Sequence, residues 1–138
     1  NEKVNLLGMT STRFSNPIGL DDAYGNNYSN TLDLLKLTVY ATSISEIKDI
    51  VSTKDFYFTD VEGNVNLLVR NTNRLLWEIP NSVGVKTGTT FEAGEVLIYE
   101  YDDGLKDIVM VVMGSKNRFA DTKSILSWIG RNYTWKIL

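Results

Sequence analysis

Lys86-Thr87-Gly88 places an ammonium, a hydroxyl and a missing side chain on three successive residues. Val83 and Val85 before it, and Thr89 and Thr90 after it, are β-branched, so the segment predicts a strand. A glycine inside a strand weakens it, and close approach of a ligand or another backbone is a common reason for its presence. Such a strand edge suits an extended peptide added by main-chain pairing, with Lys86 meeting a carboxylate or a catalytic oxygen. The chain has no His and no Cys. An in-chain Ser-His-Asp or Cys-His arrangement is therefore excluded, and no zinc site is expected. Acid–base chemistry here must come from Lys, Tyr or carboxylates.

The elements that position this strand follow from hydrophobic pattern and turn residues. Asn1 to Leu7 predicts the end of a helix closed by Gly8, so the sequence is expected to be a piece of a longer chain. Met9 to Leu20 is rich in Ser, Thr, Asn, Pro and Gly and predicts a loop with apolar pins at Met9, Phe14 and Leu20. Asp21 to Asn27 continues it through Tyr24 and Gly25; a loop this long is functional or packed by its own side chains. Ser29 is expected to cap a helix to about Ala41, with Leu32, Leu35 and Val39 inward beside Leu34 and Leu37, and Asp33 in its first turn.

A short helix from Ser45 to Val51 is expected to bury Ile44, Ile47 and Ile50. Lys54 to Thr59 and Val65 to Val69 predict a hairpin turning at Glu62-Gly63-Asn64. Asn71 and Asn73 flank an irregular stretch that Asn side chains hold well. Strands are expected at Glu95 to Tyr101 and, as a sheet-interior strand, Asp107 to Met113, joined at Asp102-Asp103-Gly104. A helix from Asn117 to about Tyr133 should cover the sheet with Phe119, Ile125, Trp128 and Ile129. The pattern is α+β, an antiparallel sheet covered by helices. With 138 residues, 43% of them hydrophobic, the chain suits one domain. A net charge of −3 with both signs interspersed argues against nucleic acid. No apolar run is long enough to span a bilayer.

Several blocks occur in a fixed order. They are Leu7-Gly8-Met9 with Thr12-x-Phe14-x-Asn16-Pro17-x-Gly19-Leu20, Tyr28-Ser29 with Asp33-Leu34, Asn71-Thr72-Asn73 with Leu75-Leu76, Gly84 to Gly94, and Val111 to Gly114. Together they closely resemble the serine-type D-alanyl-D-alanine carboxypeptidases, the low-molecular-mass penicillin-binding proteins, from Asn1 to Trp135. The resemblance implies residues 1–138 as the C-terminal portion of a β-lactamase/transpeptidase-like catalytic domain. It also implies an enzyme at the bacterial cell surface that removes the terminal D-alanine from peptidoglycan stem peptides through an acyl-enzyme. No cofactor is implied; the implied partners are a stem peptide ending in D-Ala-D-Ala and β-lactam antibiotics.

Carried over by position, Lys86 matches the family Lys that positions the active-site hydroxyls and the substrate. Thr87 matches the hydroxyl facing the terminal carboxylate, and Gly88 keeps the strand edge clear. The Thr89 N–H matches an oxyanion-hole donor, whose loss typically lowers the rate by about 10²–10³. Asn71 and Asn73 fit the family's Asn-Thr-Asn segment at the cleft, as substrate contacts or as structural residues. Arg118 lies near a family basic residue close to the carboxylate, and reads alternatively as a solvated helix-start residue.

The family's Ser-x-x-Lys and Ser-x-Asn elements are expected upstream, outside this sequence. Val4 for Ala and Asn30-Thr31 for Thr-Ala are lesser departures. Ser45-Glu46-Ile47-Lys48 and Ser115-Lys116-Asn117 match the two missing patterns literally but in the wrong places, so they read as a helix start and a strand exit. Without a nucleophile the chain alone is expected to be inactive. Two alternatives stand beside this reading: a non-catalytic peptide-binding domain and a β-lactamase-like hydrolase. Apolar faces left open in a partial domain also predict a homodimer, domain-swapped or not, or limited solubility.

Overall fold

The computed structural model describes residues 1–20 and 26–136; the loop reading at Tyr24 and Gly25 lies outside the described residues. The elements are α1 (Glu2–Leu6), α2 (Thr31–Thr42), α3 (Ser45–Ser52), β1 (Asp55–Thr59), β2 (Asn66–Arg70), α4 (Leu75–Glu78), β3 (Ser82–Thr90), β4 (Gly94–Asp102), β5 (Asp107–Ser115) and α5 (Arg118–Asn132). β1 and β2 pair as a separate antiparallel hairpin, and β3, β4 and β5 form a sheet in that order. The architecture is α+β, as the pattern implied.

Side chains alternate across β4, the middle strand. Leu97 and Tyr99 join Leu75 and Met110 in the buried core, closed by Phe119, Leu126 and Ile129 of α5. Glu100 and Asp102 point to the opposite face, where Lys48 of α3 meets both at 3.2 and 2.8 Å. β5 lies at an edge of the described sheet rather than in its interior; its run of apolar residues reflects helices packed on both faces. On α5 the inward set is Phe119, Thr122, Leu126 and Ile129, spaced at three, four and three residues. Ile125 and Trp128, expected inward, are exposed, and Trp128 instead packs edge-on against Tyr133 at 5.6 Å.

α2 also turns a different face inward. Asp33, Leu34 and Thr38 are buried, while Leu32 and Val39 are exposed. Apolar residues occur all round this helix, so spacing did not single out one stripe. At the N-terminus of α3 and within it, Ile44 and Ile47 are half-buried, and Ile50 is exposed. Asn30 rather than Ser29 caps α2, its Oδ1 accepting from the Asp33 N–H at 2.8 Å; Ser29 spends its hydroxyl on Thr12 Oγ1 at 2.6 Å. Gly8, at φ 62°, closes α1 as expected.

The Met9–Leu20 loop is tied down by its own polar side chains. Asn27 Oδ1 accepts from the Ser15 and Asn16 N–H groups, and Asn16 Oδ1 accepts from the Gly19 N–H. Asp33 anchors the other end, accepting from the Ser11 N–H and the Thr12 hydroxyl, each at 2.9 Å. Burial alone would raise the Asp33 pKa. The Ser11 and Thr12 hydrogen bonds and nearby Lys36 outweigh it and hold the carboxyl below its usual value.

Two glycines of the Gly84 to Gly94 string are fixed by close packing. A Cβ at Gly84, where φ is 151°, would sit 2.8 Å from the Val51 carbonyl oxygen; one at Gly94 would sit 3.2 Å from Gly114 Cα. At Gly88 a Cβ would meet nothing within 4 Å. The interior of the chain therefore gives a reason for Gly84 and Gly94 and none for Gly88.

Two predictions follow from these contacts. Gly84→Ala should lower stability by at least about 1–3 kcal/mol, the usual cost of a side chain at strained positive φ, whereas Gly88→Ala should leave the thermal midpoint within a degree or two; equal midpoints would refute the contrast. A carboxyl with a depressed native pKa contributes stability that is complete above its unfolded value, near 4, and is lost as pH falls through the native value. Urea midpoints of the parent should accordingly fall more steeply below about pH 4 than those of Asp33→Asn, which should already be less stable at pH 7.

Candidate functional site

The Lys-Thr-Gly residues sit on β3, a sheet edge with no further strand among the described residues. Pairing sets Lys86 opposite Ile98, Thr87 opposite Leu97 and Thr89 opposite Glu95. Opposed residues share a face, so Lys86 lies on the Ile98 side and Thr87 and Thr89 on the side covered by α5. At a sheet edge the two faces meet along the rim. An open cavity of about 560 Å³ runs along this rim, lined by residues 86–90, by Val96 and Ile98, and by Phe14, Asn16 and Asn27 of the pinned loop. The loop that sequence composition left between a surface role and a functional one is thus the opposite wall of the same groove.

Each side chain along the rim has a partner. The Lys86 ammonium donates to the Thr87 carbonyl. Thr87 Oγ1 lies 2.6 Å from Thr72 Oγ1, and either can donate. Arg118 Nη1 donates to the Gly88 carbonyl at 2.7 Å and to Thr89 Oγ1 at 2.6 Å. Arg118 is therefore not a freely solvated helix-start residue. Its own N–H donates to Glu95 Oε2 at 2.9 Å, and Asn117 caps the helix behind it by accepting from the Ala120 N–H. Lys86, Thr87, Gly88, Thr89 and Arg118 come together. These five residues offer two cations, two hydroxyls and open space at Gly88, a set suited to an anion at the end of an extended chain.

Asn71 and Asn73 are turned toward backbone instead. Asn71 Nδ2 donates to the carbonyls of Val51 at 3.2 Å and Thr53 at 3.0 Å, and its Oδ1 accepts from the Asn73 N–H at 2.9 Å. Asn73 is buried, with Oδ1 accepting from the Leu75 N–H. These are the local bonds that hold irregular backbone. The residue between them, Thr72, reaches the rim, and sequence reasoning passed over it. The signal was the pair of clamping Asn residues, which leaves the middle side chain to face elsewhere.

The two literal motif matches lie elsewhere and are otherwise engaged. Lys48 is held by Asp102 and Glu100, and the Asp102 hydrogen bond, with Glu100 beside it, raises its pKa despite partial burial. A lysine committed in this way is a poor base for Ser45, whose hydroxyl donates to Glu46. Ser115 Oγ donates to Asp121 and accepts from the Asn117 N–H at the start of α5. Among the described residues no group of three His, Cys, Asp or Glu side chains is arranged to hold a metal, and no helix is long and apolar enough to cross a membrane.

Comparison with known proteins adds relatives to this geometry. The chain is 32% identical over 133 residues to the D-alanyl-D-alanine endopeptidase of Escherichia coli K12, a match covering 94% of this chain and 42% of that protein. It is 32% identical to the D-alanyl-D-alanine carboxypeptidase DacA of Haemophilus influenzae, covering all of this chain and 35% of that protein. Penicillin-binding protein D2 of Listeria monocytogenes, solved in a cefotaxime-bound form, superposes with a TM-score of 0.79 at 31% identity, over 92% of this chain and 51% of that one. The chain spans less than half the length of these curated relatives. The model of the D-alanyl-D-alanine carboxypeptidase family, peptidase S11, matches residues 1–117, and the chain belongs to that family.

Proposed function

We propose that residues 1–138 form the C-terminal portion of the catalytic domain of a serine-type D-Ala-D-Ala carboxypeptidase. That enzyme acts outside the cytoplasm at the bacterial cell surface, trimming the terminal D-alanine from peptidoglycan stem peptides through an acyl-enzyme. The observation that carries this reading is the convergence of Lys86, Thr87, Thr89 and Arg118 around Gly88 on a free strand edge. Family membership supplies the chemistry to weigh it against.

In this reading the stem peptide lies along β3, between that strand and the wall lined by Phe14, Asn16 and Asn27. Thr87 and Arg118 take the terminal carboxylate, as a hydroxyl donor and a delocalised cation. The Thr89 N–H faces the carbonyl oxygen as charge develops on it, and Lys86 positions the attacking hydroxyl. A Cβ at Gly88 would occupy the path of the peptide. Asn71 and Asn73 act at one remove, as clamps. A β-lactam enters the same groove with its own carboxylate on Thr87. The attacking serine and its lysine base belong to sequence beyond these residues, because an acyl-enzyme needs a nucleophile beside its base.

Fluorescent penicillin is the direct test. The purified chain should bind it reversibly and form no stable covalent adduct; stoichiometric acylation would overturn the placement of the nucleophile outside this sequence. Arg118→Ala should weaken reversible binding of N-acetyl-D-Ala-D-Ala at least about tenfold, the scale of a lost charge-assisted hydrogen bond; unchanged affinity would remove Arg118 from the carboxylate site. A second expectation concerns association. The hairpin exposes Phe56, Tyr57, Phe58, Leu67, Leu68 and Val69 together, and patches of this kind drive self-association. Light scattering should show a dimer growing with concentration, and a monomer throughout would refute it.

A further inference from the structure

Thr72 and Thr87 lie fifteen residues apart in sequence, with their hydroxyl oxygens 2.6 Å apart. We propose that Thr72 is a positioning residue, whose O–H donates to Thr87 Oγ1 and so turns the Thr87 proton outward, toward a carboxylate bound along β3. The inference rests on the reading of residues 86–90 as a carboxylate site.

A hydroxyl has one proton and two lone pairs. In a pair of hydroxyls one donates and the other accepts, and the acceptor keeps its proton for a third group. An ionised carboxylate only accepts, so a carboxylate beside Thr87 requires Thr87 to donate to it. With that ligand bound, the pair has one direction left: Thr72 donates to Thr87, and Thr87 donates to the carboxylate. Each bond in such a chain polarises the next, which strengthens both. No other side chain among the described residues hydrogen-bonds the Thr87 hydroxyl: Lys86 reaches the Thr87 carbonyl, and Arg118 takes the Gly88 carbonyl and Thr89 Oγ1.

The placement of Thr72 is built into the scaffold. Asn71 on one side is bonded to the carbonyls at the end of α3, and Asn73 on the other is buried and bonded to the Leu75 N–H. Leu75 itself belongs to the core. Thr72 is exposed and bears no packing load, so a mutation there changes the hydroxyl pair and little else. A donor fixed by its neighbours in this way is ready before the ligand arrives.

The test is an NMR titration of the ¹⁵N-labelled chain with N-acetyl-D-Ala-D-Ala and, separately, with its C-terminal amide, following the Thr87, Gly88 and Thr89 N–H signals. Thr72→Val should weaken binding of the acid about three- to tenfold, the usual worth of one neutral hydrogen bond, and leave binding of the amide unchanged. Thr72→Ser should restore the acid to the parent affinity, and Thr72→Ala should repeat the loss seen with valine. An unchanged acid affinity in Thr72→Val, an equal loss for acid and amide, or a failure of serine to restore would each overturn the proposal. Thr87→Val separates it from the reading beneath. If that variant weakens acid binding while Thr72→Val does not, the carboxylate site stands and Thr72 has no part in it. If Thr87→Val has no effect, or the parent binds neither ligand, the carboxylate site falls and Thr72 with it.

Discussion

The Val51 carbonyl at the end of α3 is the joint on which the site depends. Asn71 Nδ2 donates to it from one side, and the Gly84 backbone closes on it from the other, leaving no room for a Cβ. With the Thr53 carbonyl, which also accepts from Asn71 Nδ2, it holds the 71–73 segment, and it packs against the start of β3 at the same helix end. Thr72 and Thr87 meet because their segments share that reference point. A hydroxyl pair at 2.6 Å has little tolerance for drift, and two independently tethered loops would not keep it.

The sheet supplies the second reference. β4 passes through its middle with Leu97 and Tyr99 fully buried, so the register of β3 against β4 is set by which residues can face the core. That register is what carries Lys86 to one face and Thr87 and Thr89 to the other. The lysine then reaches the groove from one side, while the hydroxyls meet Thr72 and Arg118 on the other. A shift of one residue would exchange the roles, placing an ammonium against the core side of the sheet where desolvation would oppose it.

Much of this was legible in sequence. The turn residues around Gly63 and Gly104, the β-branched run from Val83, and the Gly84 to Gly94 string located the hairpin, the three strands and the rim. What escaped is instructive. α2 carries leucines on every side, so the buried face was decided by Asp33 and Thr38, which are polar and inward because Asp33 accepts from the Ser11 N–H and the Thr12 hydroxyl and Thr38 donates to the Leu34 carbonyl of the helix itself. On α5 the bulk of Trp128 and Ile125 suggested an inward stripe, yet the tighter neighbours Thr122 and Leu126 fill the space against the sheet. Neither choice is visible without the surface each helix meets. Thr72 was missed for a different reason: what sets it apart is a contact fifteen residues away, between two side chains that are each unremarkable alone.

Arg118 shows where the interior and the rim become one system. It is the first residue of α5 and also the side chain laid across Gly88 and Thr89. A helix advances by about 100° per residue, so its first side chain points wherever the rest of the helix is keyed. The keys here are Phe119, Leu126 and Ile129, seated among Leu97, Tyr99 and Met110. The direction of the guanidinium is therefore written in the oily contacts of the core. A repacking far from the groove that rotated α5 would re-aim the cation without touching any other residue of the rim, and the charge presented at the surface would move through grease in the middle.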